Sequence, residues 1–344
     1  MKAVITDGKG QVKLTEIGEP SPGPYQCLCR IDACATCTGT DKKLVAGKML
    51  WADTYPAILG HESVGTVIAC GDRVRNIKSG DRFLRPAAAY PWTMLGPYAS
   101  WMGGFAELGL VTDVQALKED QPDAAVSSYC AYQQMIPHHV RIEPAEAAML
   151  SMLKEIASSI RDLGITFGAK VVVLGAGAVG MSMCYFAKLL GARMVIAIAR
   201  QDSALEACRN AGADFTVNNK TANMVEEVMA YTEHRGVDFV LDAAGDRNLL
   251  IEAGALLCQY GSLCSYAVVE GEPLTIDRIK GPEKWKYIQG GPDEVSAHQF
   301  LLDLVRIHAV PFKNFYSHVL PFDDFEEGFR LLQEKRATKI IFTM

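Results

Sequence analysis

The stretch "VVVLGAGAVG" constrains this chain more than any other. In it a β-branched run passes directly into Gly175, Gly177 and Gly180, spaced G-x-G-x-x-G. In that pattern the first glycine allows a tight turn, the second lets backbone approach a pyrophosphate, and the third lets helix pack on strand. Both flanks fit: the valine run reads as a strand and "GMSMCYFAKLLG" as a helix. Ala178 and Val179 then open that helix, whose N-terminus favours negative charge. A tight turn with no ligand is the plainer reading, but the strand-to-helix context favours a dinucleotide.

In such units an acidic residue ending the second strand, about 20 residues on, binds the ribose hydroxyls of NAD. Here that strand, "RMVIAI", ends in Ala199-Arg200. No carboxylate stands there to repel a 2′-phosphate, and a guanidinium can bind one through two parallel hydrogen bonds. NADP is therefore expected over NAD. As a mere solvated strand-end charge, Arg200 would leave the preference mixed.

From about residue 144 helix-length segments alternate with apolar runs, from "PAEAAMLSMLKEIASSIRDLG" through "VDFVLDAAG" to "YGSLCSYAVV". This alternation predicts βαβ units and a doubly wound parallel α/β sheet of the Rossmann type. Up to about residue 140 the signals are instead short β-prone runs between Gly, Pro and Asp, an all-β region. The expected domains are residues 1–151, catalytic; 152–289, dinucleotide-binding; and 290–344, a return to the first.

A chain of 344 residues with a formal charge of -6 offers no electrostatic footprint for nucleic acid or anionic lipid, so small molecules are the expected partners. Its 10 cysteines are spread along the sequence, and the start "MKAVITDGKG" has no apolar signal region, which predicts a reducing cytoplasm. The uncharged run Val171 to Ala187 is short for a membrane span and is broken by glycines.

Cys37 and His61 are residue types that bind zinc, and Glu62 adds a carboxylate beside them. Singly, each reads as core packing or surface. The Cys34-x-x-Cys37 spacing also admits a redox pair, although it lies outside any βαβ context.

In order, "CTGTD" (37–41), "GHESVGTV" (60–67), "SGDRF" (79–83), "GGFAE" (103–107), "VLGAGAVG" (173–180), "KWKYIQGG" (284–291) and "HVLPFDDFEEGFRLL" (318–332) span nearly the whole chain. Together they resemble the landmarks of zinc-dependent alcohol and polyol dehydrogenases of the medium-chain dehydrogenase/reductase superfamily. The resemblance implies a GroES-like β-rich catalytic domain beside the Rossmann domain. It makes Cys37 and His61 zinc ligands and Glu62 a ligand or near-ligand. It makes Thr40 the hydroxyl that binds substrate oxygen and Asp41 the acid that orients the histidine.

The sequence departs from that pattern at several points. Thr38 is an extra residue, which implies a bulged loop at Cys37. The position of the family's remaining ligand falls on Ser151, with Glu155 one helical turn later as a substitute, directly or through water. The relay-histidine position holds Lys43, read as a solvated lysine. The cysteines of a structural-zinc lobe are absent between Arg82 and Ser128, so a single catalytic zinc is expected. An aromatic segment with Tyr90, Trp92, Tyr98 and Trp101 stands there instead, and with Trp51 and Tyr55 of "MLWADTYP" it offers either a pocket wall or packing.

The implied activity is hydride transfer between NADP(H) and a secondary alcohol, polyol or sugar-type substrate. The competing readings are a zinc-free NADPH-dependent enoyl or quinone reductase of the same superfamily, and a non-catalytic cofactor-binding protein. The likeness also implies a homodimer or homotetramer.

Overall fold

The computed structural model describes residues 1–267, 279–291 and 293–344. The chain divides into two compact units, one of Met1–Met152, His298–Phe312 and Tyr316–Met344, the other of Leu153–Ala297 and Lys313–Phe315.

The first unit opens with strands β1 (Lys2–Thr6), β2 (Val12–Glu16) and β3 (Gln26–Ala35), followed by helix α1 (Thr38–Val45). Then come β4 (Ala57–Ile58), β5 (Glu62–Cys70), β6 (Arg82–Leu84), β7 (Thr93–Leu95), β8 (Tyr98–Ser100), β9 (Leu108–Thr112), α2 (Val114–Asp120) and β10 (Met135–Ile136). Helix α3 (Pro144–Asp162) carries the chain out of it. The second unit alternates: β11 (Lys170–Leu174), α4 (Ala178–Leu189), β12 (Met194–Ala199), α5 (Asp202–Asn210), β13 (Phe215–Asn218), α6 (Met224–Tyr231), β14 (Val237–Asp242), α7 (Arg247–Ala253), β15 (Leu257–Ser265) and β16 (Lys286–Gln289). Helix α8 (His298–Arg306), β17 (His318–Pro321), α9 (Phe325–Gln333) and β18 (Ile340–Thr343) then complete the first unit.

The second unit's sheet runs β13-β12-β11-β14-β15-β16, every neighbouring pair parallel. Its order reverses between β11 and β14, the position where doubly wound sheets bind ligands at the strands' carboxyl ends. All of β11 is buried, as its uninterrupted valines require of a central parallel strand.

In the first unit β3 is the spine. It pairs antiparallel with β5, β9 and β18. The β3–β5 ladder runs from Cys27 opposite Cys70 at one end to Ala35 opposite Glu62 at the other. Under it a core of Leu44, Trp101, Phe105, Phe325 and Phe342 is buried, with Phe105 edge-on to Phe325 at 5.1 Å. The expectation of an all-β region is corrected here, because α1 and α2 interrupt the strands. The expected bulge at Thr38 is corrected too. Cys37 is the residue capping α1 and Thr38 its first helical position, so the extra residue is absorbed into a helical turn. Asp41 stabilises that turn by accepting the Cys37 N–H at 2.8 Å.

Candidate metal centre and dinucleotide site

Cys37 stands at the N-terminus of α1, His61 immediately before β5 and Glu62 at its first position. Their ligand atoms all lie within 4.8 Å of one another, the set of metal-type donors that meets among the described residues. Gly60 makes the approach possible. It has φ +93°, and a Cβ there would meet the Phe105 nitrogen at 2.4 Å. His61 is oriented between two acids, with Nε2 4.0 Å from Glu62 Oε1 and Nδ1 4.0 Å from Asp41 Oδ1. Asp41 Oδ1 and His61 Nδ1 are both buried without a hydrogen-bond partner. The Cys37 thiol donates to Thr40 Oγ1 at 3.5 Å.

The electrostatics favour a cation. Burial pushes the Cys37 thiol up to about 12, and the Glu62 and Asp41 charges add to this against the opposing effect of Lys339. Burial also pushes the Asp41 carboxyl up to about 6, against the pull of His61. A Cys37 thiolate, as a metal ligand must be, would join the Asp41 and Glu62 carboxylates against the Lys339 ammonium and the buried Arg85 guanidinium. That leaves negative charge that a divalent ion would offset, and Cys, His and carboxylate are all zinc ligands. The donor set fits a metal.

Lys339 and Arg85 support the cluster, and sequence reasoning missed both. Lys339 lies just before β18, is 3% exposed, and places Nζ 2.6 Å from Glu62 Oε2 and 2.6 Å from the Thr36 carbonyl. Burial opposes its charge, but Glu62 and Cys37 outweigh that and raise its pKa. Arg85, also 3% exposed, donates from Nη1 to the His61 carbonyl at 2.7 Å. Its guanidinium lies 5.7 Å from the Tyr132 ring, and its backbone holds φ 56°, where a non-glycine residue persists only if its surroundings fix it. Nothing local marks either residue: a lysine in "ATKIIFTM" and an arginine in "RFLRP" read as solvated charges.

Ser151 is fully buried in α3, its Oγ without a hydrogen-bond partner. Glu155, the substitute ligand the sequence offers, accepts the Tyr266 hydroxyl at 3.2 Å. Lys43 is half-buried on α1. The aromatic segment packs largely on itself. Trp51 lies edge-on to Trp92 at 5.3 Å and to Trp101 at 5.8 Å, and Tyr55 holds the Leu44 carbonyl at 2.9 Å.

In the second unit Gly177 caps α4, and the space where its side chain would be is open. The N–H groups of Ala178 and Val179 belong to the first turn, which has no partners within the helix. Gly180 admits no Cβ, since one would stand 2.0 Å from the Gly175 carbonyl oxygen. At the end of β12, Arg200 pairs with Asp246 at 2.9 Å. No carboxylate ends β12, but Asp246 reaches Arg200 from the cap of α7 and brings a negative charge beside it. The Asn219 Oδ1 is buried without a partner where Asn219 N meets the Ala199 carbonyl at 3.0 Å. Among the described residues no helix is long and apolar enough to cross a membrane.

Comparison with known proteins finds a family match within each unit. The family described as alcohol dehydrogenase GroES-like domain matches residues 23–121, and the one described as zinc-binding dehydrogenase matches residues 178–283. An NADP-dependent isopropanol dehydrogenase of Thermoanaerobacter brockii is 28% identical, with 97% of each chain covered. A sorbitol dehydrogenase of Bombyx mori is 26% identical over 98% of this chain and 97% of its own. The structure of an alcohol dehydrogenase from Thermus sp. ATN1 superposes with a TM-score of 0.82 at 24% identity, covering 100% of this chain and 99% of that one.

Proposed function

Since the chain belongs to the medium-chain dehydrogenase/reductase superfamily, in its zinc-dependent alcohol dehydrogenase-like branch, we propose that it is an NADP-preferring dehydrogenase that interconverts a secondary alcohol or polyol and the corresponding ketone. The observation that carries this reading is the meeting of Cys37, His61 and Glu62 within 4.8 Å. These residues would hold one zinc ion, which when bound supplies Lewis-acid chemistry that lowers the pKa of an alcohol.

The chain's own groups have distinct tasks. Asp41 keeps His61 turned so that Nε2 faces the donor set. Thr40, beside Cys37, is the hydroxyl that accepts a hydrogen bond from the substrate alcohol and would pass a proton outward to solvent as it gives up its own. Lys339 fixes the Glu62 carboxylate. In the other unit the α4 N-terminus holds the pyrophosphate with the N–H groups of Ala178 and Val179, and Arg200 with Ala199 binds the adenosine end. Edge strand β16 suits pairing with a second copy, as a homodimer or homotetramer.

Metal analysis together with NADPH formation against a panel of secondary alcohols and polyols tests the proposal. The parent should hold about one zinc per chain, while Cys37→Ser and His61→Ala should lose it together with on the order of 10³-fold in kcat/KM. Turnover at the parental rate by either variant without metal would end this reading. It would favour instead a zinc-free reductase acting on an activated double bond, a reading supported by the engagement of Glu62 with Lys339.

A further inference from the structure

The β3–β5 ladder carries a second pair of reactive side chains at the end opposite the metal donors. Cys27 and Cys70 are directly opposed in the antiparallel register, and their sulfurs lie 2.9 Å apart. Opposed residues in such a ladder stand about 4.5–5.5 Å apart at Cα, within the roughly 4.4–6.8 Å that a disulfide spans. The two thiols differ in access: Cys27 is 0% exposed, within an apolar cluster with Cys29, Val67, Phe83 and Val111, whereas Cys70 is exposed at the strand end. Cys29 shares the buried face but stands opposite Val67. The thiols that are neighbours in sequence are used otherwise. Cys34 is buried with its Sγ toward the Ala35 carbonyl, and Cys37 belongs to the metal donors.

We propose that Cys27 and Cys70 form a reversible dithiol–disulfide site, oxidised by hydrogen peroxide through the exposed Cys70. The Cys70 thiolate attacks a peroxide oxygen, the O–O bond breaks, and the departing hydroxide takes up a proton as water, leaving a sulfenic acid. The Cys27 sulfur then attacks the Cys70 sulfur, the S–O bond breaks, and the Cys27 proton leaves with the hydroxyl as a second water. Two thiols lose two electrons and the peroxide gains them. The Cys27 thiol, raised in pKa by burial and by the neighbouring Cys70, is a weak nucleophile in free solution. Its fixed position beside Cys70 offsets this. The bond would tie β3 to β5, the two strands whose other ends lead into Cys37 and Glu62.

Peroxide treatment of the purified full-length protein, followed by thiol titration, peptide mapping and thermal melts, tests this. Two thiols should be lost, a Cys27–Cys70 cross-linked peptide should appear, and the melting midpoint should rise by roughly 5–10 °C, all reversed by dithiothreitol. Cys70→Ser, a change at an exposed position, should abolish the cross-link and the rise, while Cys29→Ser should keep both. Overoxidation of Cys70 without a cross-link, a cross-link to another cysteine, or the same rise in Cys70→Ser would each overturn the proposal.

Discussion

The glycine turn and the cluster of Cys37, His61 and Glu62 are both suited to hold charge, but the chain builds them differently. The turn comes from one stretch, Val171–Gly180, in which strand, turn and helix follow one another and each glycine acts within a few residues of its neighbours. The cluster needs α1, the start of β5, the segment before β18 and Arg85 after β6, joined only because β3 pairs with both β5 and β18. A contiguous site stands on local backbone geometry, whereas a dispersed one depends on a registered sheet and on buried charges that must be matched. Substitutions can test that contrast.

Lys339→Met should have the largest effect. It leaves the Glu62 carboxylate, 2% exposed, without its ammonium, and removing one partner of a buried pair costs about 3–5 kcal/mol. Because a bound divalent ion would give Glu62 a new partner, the loss should shrink when unfolding is measured with zinc added. An equal loss with and without zinc would show that the dispersed cluster is an ordinary ion pair and not a metal centre. Gly180→Ala is the local counterpart. Its new methyl would stand 2.0 Å from the Gly175 oxygen, and overpacking of that kind costs about 1–3 kcal/mol. Dinucleotide affinity should fall by about 10–100-fold while zinc content is unchanged. A fall in zinc content would break the contrast, since a contiguous site would then be coupled to the dispersed one.

Legibility in the sequence follows the same division. The parallel sheet and the glycine turn could be read directly, because period, β-branching and glycine spacing are local signals and β11 through α4 stand where those signals put them. Cys37, His61 and Glu62 could be singled out only as metal-type residues near one another in sequence, with a familiar motif order to join them. Lys339 and Arg85 left no trace, since a lone basic residue gives no sign of which carboxylate or carbonyl the folded chain will bring to it. The helix at Thr38 was also missed, because a short segment between strands carries too few turns to show a period.

Arg85→Met keeps bulk but removes the donor to the His61 carbonyl, 2.7 Å away. Groups that orient a ligand in this way typically contribute about 10–100-fold in metal affinity, so competition against a chelator should show a drop of that order, with Arg85→Lys recovering part of it. Parental affinity in Arg85→Met would mean that Asp41 and the backbone before β5 hold the histidine without the guanidinium, making the cluster less dispersed than its contacts suggest.

Arg200→Ala should have the smallest effect and bears on the one place where the contiguous site is incomplete. The guanidinium is 65% exposed and already paired with Asp246 Oδ2, while Asp246 Oδ1 caps α7 by accepting the Asn248 N–H at 3.0 Å. A 2′-phosphate must therefore compete with Asp246 for Arg200. Exposed pairs of this kind contribute about 0–1 kcal/mol, and hydrogen bonds to a charged group about 1.5–3 kcal/mol, so the phosphate wins by about 1–2 kcal/mol, or roughly tenfold in affinity. Titration calorimetry should show Arg200→Ala weakening NADP about tenfold and leaving NAD nearly unchanged. Asp246→Asn, which keeps the cap but removes the competing charge, should tighten NADP binding. If both variants moved NAD and NADP alike, Arg200 would be no more than a strand-end charge and the proposed preference for NADP would lose its support.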